Sequence, residues 1–267
     1  MVTDTIRIIQ NTESIFDFHI NKNTPIVNSL AQIYPQTYIN VIETHIAHRC
    51  INIHNIFSTL WRCREIGIDN CSANAFLRIL ADHISALLLI YDNPDHNEVA
   101  LRHYLCIADG INSQIIVMQE LIAKDTIPDS AKDTAKETIQ HEQDNLQVCI
   151  DCIKALDIYK TNKTSIDNLI IKKNWRYKDI SNNKSKYNWL ELYREKMRIQ
   201  NSYIQYLSLY VHGLAGSVII NGNQETNIQL IKVIATKLIM SFSEFLWRHF
   251  KVLLSEQEKN YLSNLFA

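Results

Sequence analysis

Glycine and proline are scarce in this 267-residue chain, with five and four residues respectively. All-β folds need a turn about every ten residues, each with its own turn chemistry. The scarcity therefore excludes a sandwich or barrel and favours long helices joined by short connections. Net charge is nearly absent too. Against 28 Asp and Glu stand 27 Lys and Arg, giving −1, so no global field draws in nucleic acid or an anionic membrane. Nor is there an uninterrupted apolar stretch of the roughly 20 residues that span a bilayer. The longest apolar run, 84–91, contains Ser85, and the greasier stretch 228–247 is broken by Lys232, Lys237 and Glu244. Asp4 and Arg7 open the chain with charge and no continuous apolar segment follows, so no secretory signal is expected. The six cysteines fall in segments of helical pattern rather than in a loop-rich disulfide framework, which suits free thiols in a reducing compartment. These absences together give the expectation of a cytoplasmic protein with no membrane partner.

What is present is a core former. Hydrophobic residues make up 46% and charged residues 21%, the balance of an ordinary globular chain. Apolar residues recur at three- and four-residue steps in Ile42, Ile46, Cys50, Ile53, Phe57 and Leu60. They recur again in Leu77, Leu80, Ile84, Leu87 and Tyr91, and in Leu101, Tyr104, Ala108, Ile111, Ile115, Met118 and Ile122. The pattern predicts helices over 36–65, 72–91 and 96–124, then 129–159, 189–213 and 225–254. Thr24-Pro25 reads as the start of a short helix that ends at Pro35, with a capping hydroxyl before a first-turn proline. Asp92-Asn93-Pro94-Asp95 and Ile127-Pro128-Asp129 are turns. Between 160 and 188 Thr, Asn, Ser and Lys dominate, which predicts a loop or lid with a short helix. A short extended piece at 217–220 and a capping box at Ser255 and Glu258 complete the reading. The expected architecture is all-α, a multi-helix bundle with long antiparallel helices in a single domain, weakly marked for division near 125–130. An exposed helix pair would be its route to a homodimer.

The candidate sites are faces of these helices. On one helix through 198–212, Arg198, Asn201, Gln205, Ser208 and His212 fall on a narrow side, and Ser208 and His212 are one turn apart. The face is either the polar wall of a binding site, with His212 as acid, base or anion contact, or a hydrogen-bond ladder between packed helices. Arg78 and Asp82 make a one-turn pair flanked by apolar residues, and Glu98 and Arg102 make another in the favourable acid-first order. From Lys172 to Arg198 nine Lys and Arg oppose three acids, 9 − 3 = +6, with Trp175, Tyr177, Tyr187, Trp189 and Tyr193 interleaved. Basic groups neutralise phosphates and aromatic faces stack on unpaired bases, so Lys172, Lys173, Trp175 and Arg176 are candidates for contact with RNA. The alternative is a solvated loop whose aromatics lie on the core, or one docked on the acidic helix 129–159.

Cys149-x-x-Cys152 has a zinc spacing without a second pair, and Cys149 shares an apolar stripe with Leu146, Ile153 and Leu156. His45 and His48 lack a carboxylate at ligand spacing. No metal and no cofactor are expected, since the chain has no glycine-rich phosphate loop, no G-x-S-x-G and no H-E-x-x-H.

Two resemblances add to this reading. Arg78 to His83, and again Arg49 to His54, spell R-x4-H, which resembles the signature of HEPN-type helical ribonucleases. That likeness implies a metal-independent endoribonuclease of toxin or defence type, with Arg78 and His83, or His212, as catalytic groups. On a straight helix the two motif residues point about 140° apart, so their convergence needs a bend or a dimer. The second likeness is broader. Phe76-Leu77-Arg78 with Asp82, Arg102-His103-Tyr104, and the block from Tyr206 to Gly213 are similar to an uncharacterised bacterial all-helical family, a domain of unknown function. That family tends to have Glu at the position of Asp82. The similarity covers about residues 70–213, implies the fold class and no activity, and singles out Arg78, Asp82, Arg102, Ser208 and His212. The leading functional expectation is a helical module that binds a protein partner or small ligand through the polar face. The ribonuclease is the alternative.

Overall fold

The computed structural model describes residues 2–66, 69–124, 126–182, 185–197, 199–211 and 224–253. The fold is all-α. In chain order the helices are α1 (Val2–Ile33), α2 (Ile42–Ile66), α3 (Asn70–Tyr91), α4 (His96–Ile122), α5 (Asp129–Ala155), α6 (Asp157–Lys172), α7 (Trp189–Met197), α8 (Asn201–Val211) and α9 (Gln224–His249). A 3-10 turn, Lys251–Leu253, follows. Among the described residues no strand forms, and extended pairing is confined to the isolated bridges Tyr38 to Val41 and Tyr177 to Lys186.

The chain separates into two compact units. The first takes Met1–Gln36, Ile46–Leu88 and Trp189–Ala267, and the second Thr37–His45 and Leu89–Asn188. The division falls inside α2 and α3, while the break near 125–130 is internal to the second unit.

Heptad-like spacing on α1, α2 and α9 builds the core of the first unit. Leu30, Ile53, Phe57, Leu77, Leu80, Ile84 and Phe242 are fully buried, and each such side chain contributes about 1.5–3 kcal/mol by leaving water. Phe57 meets Phe16 edge-on at 5.8 Å and Phe242 at 5.9 Å. A buried polar chain locks α1 to α9, in which Trp247 Nε1 donates to Asn23 Oδ1 at 2.8 Å and Asn23 Nδ2 donates to Ser243 Oγ at 2.8 Å. Buried amides and hydroxyls need such partners. Pro25 does not start a helix, because α1 runs through it. The missing N–H costs one rung, and Thr24 Oγ1 donates to Ile20 O at 2.8 Å beside the gap. The buried flanks Ile26, Val27 and Leu30 hold the helix together there.

In the second unit α4 and α5 pack antiparallel around Ala108, Ile111, Ile115 and Cys149, with Ile39, Ile107, Ile139 and Leu146 at the margin. Asp95 caps α4 by accepting from the backbone N–H of Asn97 and Glu98. Residues 160–172, expected as loop or lid, belong to α6. Ile166 and Leu169 at a three-residue step are fully buried, and that apolar pair outweighs the polar composition around it. The helix expected over 129–159 breaks at Leu156, whose backbone is extended. The extended piece at 217–220 and the capping box at Ser255 lie outside the described residues.

By length and composition α3 and α4 are apolar enough to cross a membrane, which the single-run criterion overlooked. Two-thirds of the α3 window is nevertheless buried inside the protein, against 22% for α4. One face of α4 covers α5, and its Arg102 is buried on Glu98.

Candidate functional site

Two clusters collect most of the sequence candidates, one in each unit. In the first unit Arg78, Asp82 and Ser208 do come together. One turn of α3 sets Arg78 Nη1 on Asp82 Oδ1, and Arg78 Nε donates to Ser208 Oγ of α8 at 3.2 Å. Ser208 in turn donates to Ile204 O at 2.8 Å. Tyr193 of α7 completes the group. Its phenol donates to the same Asp82 oxygen, and its ring lies 5.0 Å under the Arg78 guanidinium and stacks on Trp189 at 5.9 Å. Burial and the Asp82 carboxylate push the Tyr193 phenol well above its ordinary range, so it stays a donor at any physiological pH. The Arg78 side chain is 14% exposed and that of Asp82 36%. Every donor and acceptor named here is occupied and the charges cancel. Chemically this is a clamp that ties α3, α7 and α8 together.

The polar face that should carry Arg198 through His212 is shorter than expected. Ile199 and Gln200 are not helical, so the described part of the 189–213 segment is two helices, α7 and α8. Arg198, His212 and the side chain of Asn201 lie outside what the structure describes. Gln205 is exposed and Ser208 is half-buried on Arg78.

The two R-x4-H motifs part company. His54 is sealed between Thr24 Oγ1 at 3.2 Å and Ser58 Oγ at 3.4 Å. His83 is half-buried. Desolvation lowers its pKa, the Arg49 charge lowers it further, and Asp82 opposes both. The charge acting on His83 from α2 is thus the arginine of the other motif.

In the second unit Arg102 is 5% exposed and serves the protein interior. Its Nε and Nη2 donate to Glu98 Oε1 at 2.9 and 2.7 Å, and Nη1 donates to Trp175 O at 3.1 Å. Its guanidinium lies 4.0 Å over the buried Tyr177 ring. This anchors the segment after α6, which doubles back on itself. Tyr187 N–H donates to Arg176 O at 2.8 Å and Lys178 N–H to Ser185 O at 3.1 Å. The result is an open cleft of about 480 Å³ lined by Asp109, Lys172, Lys173, Asn174, Trp175, Arg176 and Lys186. All four residues proposed for RNA contact line it.

Of the two expectations for the aromatics, the structure shows the one that sets them on the core. Trp175, Tyr177 and Tyr193 are buried, Trp175 donates its indole N–H to Asp109 Oδ2 at 3.2 Å, and Arg176 lies 5.7 Å over its ring. Lys178 sits 5.3 Å over Tyr187. These rings support cations rather than offering faces to bases. Sequence reasoning missed Lys186, Asn174 and Asp109 as site members. Lys186 reaches the cleft through the Tyr177 to Lys186 bridge and Asp109 from α4, and neither neighbour can be read from local spacing.

His45 and His48 do not meet at a metal. Their Nε2 atoms contact the carbonyls of Tyr38 at 3.2 Å and Tyr34 at 2.8 Å, pinning the turn after α1. Burial pushes the Cys149 thiol up to about 12. Among the described residues no three His, Cys, Asp or Glu side chains gather at metal distance. Compared with family models, curated proteins and solved structures, the chain matches none.

Proposed function

We propose that the protein is a soluble, cytoplasmic binding module that takes a phosphate-bearing ligand in the cleft of its second unit. The observation that carries this reading is the lining. Lys172, Lys173, Arg176 and Lys186 face one volume with a single carboxylate, Asp109, among them. Four cations and one anion leave 4 − 1 = +3 in a chain whose total is −1. The volume falls in the range of about 300–1,000 Å³ that holds small ligands. With Trp175 and Tyr177 largely buried against the protein, recognition is mainly of charge and not of bases. The test is fluorescence polarisation of a labelled single-stranded RNA against salt. Neutralising three or four phosphates gives a slope of log K on log salt of about −2 to −3. Lys172→Ala and Lys186→Ala should each flatten it by close to one contact. A slope near zero, or wild-type binding by both variants, would sink the proposal.

The ribonuclease reading keeps one observation in its favour, the position of Arg49 beside His83. A half-buried imidazole kept neutral by desolvation, with the Arg49 charge adding to the effect, is a base at neutral pH. Cleavage of labelled RNA in EDTA that disappears in His83→Ala and Arg49→Ala, with helicity retained, would support it. No cleavage by the wild type removes it.

A further inference from the structure

Deepening the cleft reading, on which this inference rests, we infer that Lys173 is held in a strained backbone conformation so that its ammonium can grip a ligand carrying several phosphates in a row. Lys173 ends α6 with φ 48° and ψ 40°, and among the described residues it is the one non-glycine with positive φ. Its N–H donates to Ile170 O at 3.1 Å, and the next N–H, of Asn174, reaches back to Leu169 O at 3.0 Å. This is the helix-ending arrangement in which glycine is the usual occupant, because a Cβ crowds the left-handed region. A strained residue that persists where a strain-free one is available points to function, and this one lines the cationic cleft.

The helix end explains part of the charge. Cations at a helix C-terminus meet its exposed carbonyls favourably, and Lys172 and Lys173 both sit there. Arg176 and Lys186 belong to the doubled-back segment, where Arg176 Nη1 also donates to Tyr187 O at 3.3 Å. The cations therefore come from two segments, the end of α6 and the doubled-back stretch that follows it. Trp175, whose N–H is spent on Asp109, stands between the helix end and Arg176. One phosphate of charge about −2 leaves a lining of +3 unbalanced, whereas a chain of phosphates carries at least about −3, as three phosphodiesters or as a more highly charged free oligophosphate, and neutralises it in full. The ligand class is a chain of phosphates, supplied either by a free oligophosphate or by a nucleic-acid backbone.

The experiment uses the full chain, with inorganic tripolyphosphate, orthophosphate and a ten-nucleotide single-stranded RNA as probes in titration calorimetry. Lys173→Gly should unfold at a midpoint at or above the wild type's and bind tripolyphosphate at least fivefold more weakly. Lys178→Ala removes the same charge from a residue outside the lining and should change binding less than twofold. Orthophosphate should bind at least tenfold more weakly than tripolyphosphate. Displacement of tripolyphosphate by RNA would identify the backbone as the source of the phosphates, and no displacement would identify a free oligophosphate. If Lys173→Gly binds as the wild type does while Lys186→Ala is weakened, the cleft stands and the role of Lys173 is overturned. If Lys173→Gly is the less stable protein, the strain argument is overturned. Equal affinity for the two inorganic probes overturns the multi-phosphate ligand. Tripolyphosphate binding that ignores Lys172→Ala, Lys173→Gly and Lys186→Ala alike overturns the cleft itself.

Discussion

Acidification should loosen the first unit through two buried histidines well before its carboxylates protonate. His19 is stacked flat on Trp247 at 5.2 Å, with Phe18 edge-on at 5.5 Å. For His54 the proton can be placed. The Thr24 hydroxyl donates to Ile20 O, so His54 Nε2 donates to Thr24 Oγ1, and Nδ1 is left as a bare lone pair. The Nδ1 atoms of both rings lack a hydrogen-bond partner, so a proton added there would have no acceptor. Burial lowers both pKa values from 6.5 to about 4. A depressed histidine pKa means that the unfolded chain binds the proton first. The stabilisation is complete above about pH 6.5, is lost as pH falls from there to about 4, and falls no further below that. At pH 5 the full shift corresponds to roughly 2 kcal/mol per histidine, and halving it for partial solvent access leaves about 2 kcal/mol for the pair. In urea titrations at pH 7.5 and pH 5 the midpoint should drop by roughly 0.7–1 M. His19→Phe keeps a ring on Trp247 and removes one titration, so its drop should be about half as large. A midpoint that does not move over this interval would refute the reasoning, as would a His19→Phe variant retaining the whole pH dependence.

Other expectations concern single contacts. Tyr193→Phe removes a donor from Asp82 and should destabilise the protein by about 1–2 kcal/mol in urea, since a hydrogen bond to a charged acceptor is lost. Pro25→Ala restores a rung to the interior of α1 at an exposed position and should stabilise the protein by about 1–3 kcal/mol by the same assay. Arg102→Lys keeps the charge but cannot serve Glu98, the Trp175 carbonyl and the Tyr177 ring together. A cost of about 2–4 kcal/mol is expected, with faster hydrogen exchange at the Lys178 and Tyr187 amides.

How much of this was readable from the chain depended on distance along it. α3 and α4 follow from Leu77, Leu80, Ile84 and Leu87 and from Leu101, Ala108, Ile111 and Ile115, because periodicity is a local signal. The one-turn pairs Arg78 with Asp82 and Glu98 with Arg102 formed as spaced. Pro25 misled because first-turn and interior prolines look alike until the burial of Ile26, Val27 and Leu30 is known. The break at Ile199 and Gln200 carries no glycine or proline, so a continuous helix was the natural reading. The cleft was half legible. Lys172, Lys173, Trp175 and Arg176 are contiguous or nearly so, but Lys186 joins them only through its bridge to Tyr177, 186 − 177 = 9 residues away, and Asp109 through contact across 66. Whether an aromatic faces solvent or core is a tertiary fact, and for Trp175 and Tyr177 it decided between the two readings in favour of the core.

The division of the chain into interleaved units has a consequence for its synthesis. The second unit is an excursion of about a hundred residues within the first, and most of its contacts are available once residue 188 has emerged from the ribosome. The first unit has no such independence. Asn23 is made early, and its partners Ser243 and Trp247 arrive 220 and 224 residues later. Until then α1 presents Phe16, Ile26, Val27 and Leu30 to solvent without the helix that covers them. Contacts this far apart in sequence close slowly, and the waiting apolar face is the kind of surface on which nascent chains aggregate. The first unit can therefore close only once α9 has been made, whereas the contacts within residues 89–188 need nothing that follows them.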